Sequence, residues 1–286
     1  MMEMSRGKYD VFVFDFYGTL VDIRTNEEKS YLWRKCAEFY GSLGAHYSPA
    51  ELKKAFRQKI EEEAEKLQEE GERKYGEVFL AEPDLTVVFM WLYEDKGISC
   101  SREQAAITAN FFRTLSRQKL KVYDGVRETL IKLREGGKKV YLLSNAQKDF
   151  TRPEIELAGL TDCFDGILIS SEEGCRKPSP VFYRILIERY DLRAERCLMM
   201  GNDADSDVRG AAAVGMDTLY IHTDTSPQLK GEPDATYTVL DGDWSKAARI
   251  WLNQAGLYDM KGERVIFVWN QMETHRRFIL CEFGRI

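Results

Sequence analysis

Residues 11–14, Val-Phe-Val-Phe, form a wholly apolar run that ends on one carboxylate, Asp15, and then breaks into Phe16-Tyr17-Gly18-Thr19. A short run without a polar face is the pattern of a strand buried on both sides, and such strands belong to parallel sheets covered by helices. The glycine after the carboxylate predicts a tight turn at the strand tip. From about residue 27 to 119 the chain then carries almost nothing but helical periodicity, with apolar residues three and four apart at 31–40, 49–70, 85–95 and 102–120. After Tyr123-Asp124-Gly125, strand and helix patterns alternate. Strands are expected at 139–144, 166–170, 197–201 and 218–222, and helices at 126–135, 153–158, 180–190 and 207–214.

Repeated strand–helix units with the first strand set apart predict an α/β fold: a Rossmann-like parallel sheet with helices on both faces and an inserted α-helical module. The expected division is a core at 1–23 and 121–256, a helical insert at 24–120, and a C-terminal extension at 257–286. In the tail, 237–240 reads as an edge strand and 244–254 as a helix, while 264–269 and 277–283 are β-like runs that suggest a hairpin. Packing against the core is the first expectation for that extension, with an edge hairpin or a homodimer contact as the alternative.

The 286 residues suffice for a core and a smaller second unit. No apolar run reaches the roughly 18 residues of a membrane span, so no membrane insertion is expected. The first residues lack the apolar stretch of a secretory signal, which makes a cytoplasmic location the expectation. Six cysteines, Cys36, Cys100, Cys163, Cys175, Cys197 and Cys281, show no CxxC pair and read as reduced packing residues. A formal charge of −6 argues against general affinity for nucleic acid while leaving small anionic substrates open.

Ligands of open parallel sheets bind beyond the carboxyl ends of the strands. Four such places carry polar groups: Asp15 with Thr19, Ser144 with Asn145, Lys177 in Arg176-Lys-Pro-Ser-Pro180, and Asp203 with Asp207 in Gly201-Asn-Asp-Ala-Asp-Ser-Asp207. Singly each has a bland reading as a helix cap, a turn residue or a surface charge. Their order and spacing together resemble the four motifs of the haloacid dehalogenase superfamily, whose members are mostly phosphatases and related hydrolases. In that resemblance motif one is Asp15-Phe-Tyr17-Gly-Thr19-Leu, motif two Leu142-Leu-Ser144-Asn145, motif three Lys177-Pro178 with Pro180 and Phe182-Tyr183, and motif four Gly201-Asn-Asp203 through Asp207-Val-Arg-Gly-Ala211. The inserted helices then resemble the family's helical cap.

The resemblance implies a magnesium-dependent phosphatase acting on a small phosphorylated metabolite. A carboxylate such as Asp15 can attack phosphorus to form an acyl phosphate, dividing one difficult displacement into two. Lys177, Thr19, Ser144, Asn145 and backbone N–H groups would hold the phosphoryl oxygens. Mg²⁺ would be bound by Asp15, Asp203 and the carbonyl of Tyr17, with Asp207 acting through water or orienting Asp203 and Lys177. Asp205 is expected to point to solvent.

Tyr17 departs from the pattern of the family's phosphatases, in which an aspartate stands at this position. With a reference pKa near ~10, tyrosine can offer a hydrogen bond but is a poor base at neutral pH. The same residue resembles motif one of the 2-haloacid dehalogenases, which displace halide without metal. That alternative, and a weakly catalytic binding protein, stay open beside the phosphatase reading. Arg24 is the basic residue to watch near the motif-one turn, with a solvated charge as its ordinary reading. Phe89, Met90, Trp91, Phe111 and Phe112 are expected to form helix-module core, and His46, His222 and His275 have no partners that suggest catalysis.

Overall fold

The computed structural model describes residues 7–76, 78–229 and 231–256. In chain order, β1 (Val11–Phe14) and β2 (Val21–Thr25) lead into four helices, α1 (Ser30–Ser42), α2 (Pro49–Tyr75), α3 (Leu85–Glu94) and α4 (Arg102–Ser116). Then come β3 (Arg117–Val122), α5 (Val126–Glu135), β4 (Lys139–Ser144), α6 (Lys148–Leu157), β5 (Gly166–Ile169), α7 (Ser170–Glu173) and α8 (Pro180–Arg189). The last are β6 (Cys197–Gly201), a π-helical turn over Ala204–Arg209, α9 (Gly210–Ala212), β7 (Asp217–Ile221), β8 (Tyr237–Val239) and α10 (Trp244–Gln254).

Six strands pair in the order β5-β4-β1-β6-β7-β8, each parallel to its neighbours. Because side chains alternate across a strand, β1 feeds two cores. Phe12 and Phe14 join Val140, Leu142, Leu198, Met200, Leu219 and Ile221 against α5 and α10, with Trp251 edge-on to Phe14 at 5.0 Å. Val11 and Val13 join Tyr141, Leu143, Leu168, Cys197 and Met199 against α8. Both faces are filled, which is why the strands read as apolar runs rather than alternating ones.

Helices α1–α4 enclose a separate cluster of Trp33, Phe56, Phe89 and Phe112, whose ring centroids lie 5.2–5.5 Å apart. Such aromatic pairs add about 0.5–1.5 kcal/mol each beyond area burial, so these helices hold one another through their own core. One residue of α6, Phe150, completes that cluster. The expected core role of Phe89 and Phe112 is what the structure shows, with Met90, Trp91 and Phe111 packed around them.

Several boundaries differ from expectation. The helix expected at 102–120 stops at Ser116, and Arg117–Val122 pairs antiparallel with β2 as a two-stranded ribbon at the base of the helices. Arg-Gln-Lys-Leu-Lys-Val alternates too weakly to declare itself a strand, and its partner lies some hundred residues earlier in the chain. Helix α2 runs past residue 70 until Gly76 takes a left-handed φ of 63°; its start is fixed by Pro49 and a capping box between Ser48 and Glu51. Helix α6 begins at Lys148 and carries Pro153 inside it, whereas the proline marked the start in the sequence reading. The helix expected at 207–214 is a π-helical turn followed by α9. The hairpin expected at 264–283 lies outside the described residues, as do Cys281 and His275. No helix among the described residues is long and apolar enough to cross a membrane.

Candidate active site

The order β4-β1-β6 sets three polar strand tips side by side: Ser144-Asn145, Asp15, and Asn202-Asp203. The ladder runs one residue beyond β1, the Asp15 N–H donating to the Met200 carbonyl at 2.9 Å. Lys177 comes from the loop after α7, its ammonium donating to Asp15 Oδ1 at 2.8 Å and Asp207 Oδ1 at 2.6 Å. Thr19 Oγ1 donates to Asp15 Oδ2 at 3.2 Å. Asp15 is therefore gripped on both oxygens, and it is 7% exposed against 1% for Lys177.

Burial alone would lower the Lys177 pKa, but the charges and hydrogen bonds of Asp15 and Asp207 outweigh it and leave the group raised. Burial raises the Asp207 carboxyl; Lys177 offsets this in part, and the neighbouring Asp15 charge adds to it. Two carboxylates thus share one ammonium in a dry place. Asp207 Oδ2 also accepts the Asp203 N–H at 3.0 Å, so both of its oxygens are engaged. Asp203 Oδ1 accepts from the N–H groups of Asp205 and Ser206 at 2.8 and 3.2 Å, starting the π-helical turn. Asp205 points outward, paired with Arg209 on the surface.

Two glycines permit these approaches. A Cβ on Gly201 would lie 2.1 Å from the Asp207 carboxyl, and one on Gly18, at φ +80°, would lie 2.3 Å from Asn202 Nδ2. Asn202 joins the motif-one turn to the loop after β7, its Nδ2 within 3.4 Å of Thr223 and Thr225 hydroxyls. The sequence reading did not single out Asn202, because its partners are remote in sequence.

Asn145, expected among the phosphate-binding groups, has an amide that accepts from the Lys177 N–H at 2.8 Å and donates to the Lys177 carbonyl at 3.0 Å. It fixes the backbone that carries the ammonium. The Ser144 hydroxyl is fully buried without a hydrogen-bond partner, a state that costs about 1–3 kcal/mol. Arg24 is exposed on β2. His222 spends its Nδ1 on the Tyr220 hydroxyl at 2.9 Å.

Tyr17 stands in a cluster that no local motif announces. Its hydroxyl donates to Glu154 Oε2 at 2.5 Å, with Thr151 Oγ1 at 3.0 Å. Glu154, 1% exposed on α6, also accepts from Arg113 Nε at 2.8 Å, Arg113 Nη2 at 3.0 Å and Arg117 Nη1 at 2.9 Å. The Arg113 guanidinium lies 5.4 Å from the Tyr17 ring centroid. Burial, then the Glu154 charge, pushes the Tyr17 phenol well up. Burial would raise Glu154, but Arg113 and the hydrogen bonds hold it below the usual carboxylate range.

The helical insert also grips the loop that bears Lys177. Segment 78–85 makes an antiparallel bridge between Ala81 and Cys175. Around it, Arg176 N–H donates to Leu80 O at 2.9 Å and Ser179 Oγ to Val78 O at 2.9 Å. Glu82 in this segment accepts from Gln147 Nε2 at 2.7 Å, and burial pushes its carboxyl up to about 7, opposed by Arg176. Its folded pKa lies above the ordinary 4.5. Between those values the folded state holds a proton the unfolded chain has lost, so stability falls as pH rises through that window. Glu82→Gln should therefore be more stable than the parent at pH 8, by on the order of 1–3 kcal/mol, and equal to it near pH 4. Thermal unfolding of both proteins at the two pH values checks this.

The profile of the haloacid dehalogenase-like hydrolases matches residues 9–215. The chain belongs to that family. Its relatives include ribulose-1,5-bisphosphate 5-phosphatase of Halopiger xanaduensis, 30% identical over 128 residues, which are 45% of this chain and 54% of that protein. Phosphoserine phosphatase of Thermus thermophilus is 30% identical over 156 residues, 54% of this chain and 60% of that protein. The chain thus spans about half the length of the curated relatives it matches. Among solved structures, an HAD phosphatase from Thermococcus onnurineus superposes with TM-score 0.54 at 20% identity, covering 90% of this chain and all (100%) of that one. A 2-haloacid dehalogenase from Pseudomonas syringae gives 0.56 at 16% identity, covering 85% and 99%. At such identities the likeness is one of fold, and it is equal for the two chemistries.

For a metal, the chain offers hard oxygen donors: the Asp15 and Asp203 carboxylates at the tips of the adjacent strands β1 and β6, and the backbone carbonyl of Tyr17 in the turn after β1. No group of three or more His, Cys, Asp or Glu side chains among the described residues is arranged to hold an ion. Magnesium takes one or two carboxylates and keeps several waters, so this donor set fits it and does not fit an all-protein cage. The unpaired Ser144 hydroxyl fits an anionic oxygen.

Proposed function

We propose that this hydrolase is a magnesium-dependent phosphatase for a small phosphorylated metabolite, with Asp15 as nucleophile. The observation that carries the reading is the Lys177 ammonium shared at 2.8 and 2.6 Å between Asp15 and Asp207, beside the unpaired Ser144 hydroxyl. The relatives named as phosphatases support the same reaction class. Bound magnesium supplies positive charge against the phosphoryl oxygens. Asp15, Asp203 and the Tyr17 carbonyl are the residues that would hold it, with Asp207 orienting Asp203 and Lys177 from behind.

In the chemical step an Asp15 oxygen forms the bond to phosphorus while the bond to the leaving oxygen breaks, leaving an aspartyl phosphate that water then opens. Lys177 and Ser144 face the charge spread over the phosphoryl oxygens. Thr19 fixes the second Asp15 oxygen, and Asn145 fixes the Lys177 backbone. In the same proposal residues 24–120 form a cap over a core of 1–23 and 121–256, excluding water from Asp15 when closed. A cytoplasmic location belongs to it as well, supported by scattered cysteines without a disulfide framework.

Release of phosphate from p-nitrophenyl phosphate, and of chloride from 2-chloropropionate, with magnesium or with EDTA, tests the reading. Phosphate release that needs magnesium is expected. Chloride release in EDTA without phosphate release would establish the dehalogenase reading instead.

A further inference from the structure

We propose that the substrates of this hydrolase are phosphoryl compounds whose leaving oxygen departs without a proton, namely acyl, enol or aryl phosphates rather than alkyl monoesters. The inference rests on the phosphatase reading above and narrows its substrate class. An alkoxide leaves slowly unless a positioned acid protonates it, and such an acid contributes about 10² to 10⁴ in rate. Among the described residues, the side chains hydrogen-bonded to Asp15 hold no acid free to do so.

Each proton is already committed. The Tyr17 hydroxyl donates its hydrogen bond to Glu154 at 2.5 Å, and that carboxylate also accepts three N–H bonds from Arg113 and Arg117. Phe16 packs edge-on to the Tyr17 ring at 4.8 Å and Arg113 lies over it at 5.4 Å, so the ring is fixed with its hydroxyl turned into the cluster. The side chains bonded to Asp15 among the described residues are Lys177 and Thr19. The first is an ammonium held between two carboxylates, and the second is a hydroxyl donating to Asp15 itself. Ser144 can donate a hydrogen bond to a phosphoryl oxygen, but an alcohol is no acid at neutral pH.

The reaction closes without that acid for a good leaving group. The Asp15 lone pair forms the oxygen–phosphorus bond, and the pair of the breaking bond leaves on a carboxylate, enolate or phenolate. Water then attacks phosphorus, the Asp15 carboxylate departs, and both water protons leave with the product as dihydrogen phosphate. No proton has to come from the protein in either step.

The test measures kcat/KM with magnesium for acetyl phosphate, a series of aryl phosphates from nitrophenyl to phenyl, and an alkyl phosphate such as glycerol phosphate. A steep fall along the series is expected, with the alkyl ester at least about 10² below acetyl phosphate, because no acid offsets the poorer leaving group. Tyr17→Phe, which keeps the ring and removes the hydroxyl, should show the same slope whatever its overall rate. Near-equal kcat/KM across the series in the parent, or a slope that steepens in Tyr17→Phe, would overturn the proposal while leaving the phosphatase reading intact. No phosphate release from any compound would overturn both.

Discussion

Asp15→Asn is expected to abolish turnover, by at least about 10³-fold, while leaving the fold in place. The amide is nearly the size of the carboxylate, and its carbonyl still accepts from Lys177. What it lacks is the charged oxygen that, in the proposed reaction, bonds to phosphorus. Removing that charge does not orphan the ammonium, because Asp207 holds it at 2.6 Å. The cluster passes from two carboxylates around one ammonium to a single matched pair, so thermal stability should hold or rise. Phosphate release from acetyl phosphate, together with circular dichroism on heating, reads both halves. Turnover that survives would show that Asp15 is not the nucleophile, and a collapsed fold would show that it serves structure first.

Glu154→Ala should have the largest effect on stability of any change near the site. It leaves the buried Arg113 and the half-buried Arg117 without their carboxylate and takes one acceptor from the Tyr17 hydroxyl. Breaking a buried ion pair by removing one partner costs about 3–5 kcal/mol, because the remaining charge is neither solvated nor paired. Arg113→Ala should cost less, since Arg117 still meets Glu154 at 2.9 Å. The double variant should be less destabilised than the sum of the two, as expected for residues in one network. Urea unfolding of the three variants provides the comparison, and a loss under 1 kcal/mol for Glu154→Ala, on the scale of a surface pair, would contradict this account.

The parts of this hydrolase that were legible in its sequence are those whose signal is local. Buried strands announce themselves as apolar runs, and the tips of three neighbouring runs carry Asp15, Ser144 and Asp203 in positions where an open parallel sheet presents ligands. Lys177 was legible through the residues around it. The helices were legible through their period, although their ends were not: Ser116 ends α4 because the next six residues find a partner in β2, and that pairing is invisible to any local window.

The roles of single side chains were harder to read. Thr19 and Asn145 sit where a phosphate contact is expected, and the hydrogen bonds they make, to Asp15 and to the Lys177 backbone, have no sequence signal. Only coordinates show which of two nearby acceptors a hydroxyl or amide takes. Glu154, Arg113 and Arg117 had no signal at all, because an isolated glutamate on a helix and two arginines four apart read as solvated charge. Their meeting at Tyr17 depends on how α4 packs on α6. The consequence for chemistry is large: the hydroxyl of a tyrosine that reads as a substituted acid in the sequence is hydrogen-bonded to Glu154 in the fold.

In the proposed reaction phosphorus becomes bonded to Asp15 during turnover. Mixing the protein with magnesium and acetyl phosphate, quenching in acid within milliseconds, and weighing the peptides tests it directly. The peptide containing Asp15 should be heavier by one phosphoryl group, should lose it when the reaction is allowed to run to completion, and should never gain it in Asp15→Asn. Sustained phosphate release with no phosphorylated peptide, or with the phosphoryl group on another residue, would contradict the account.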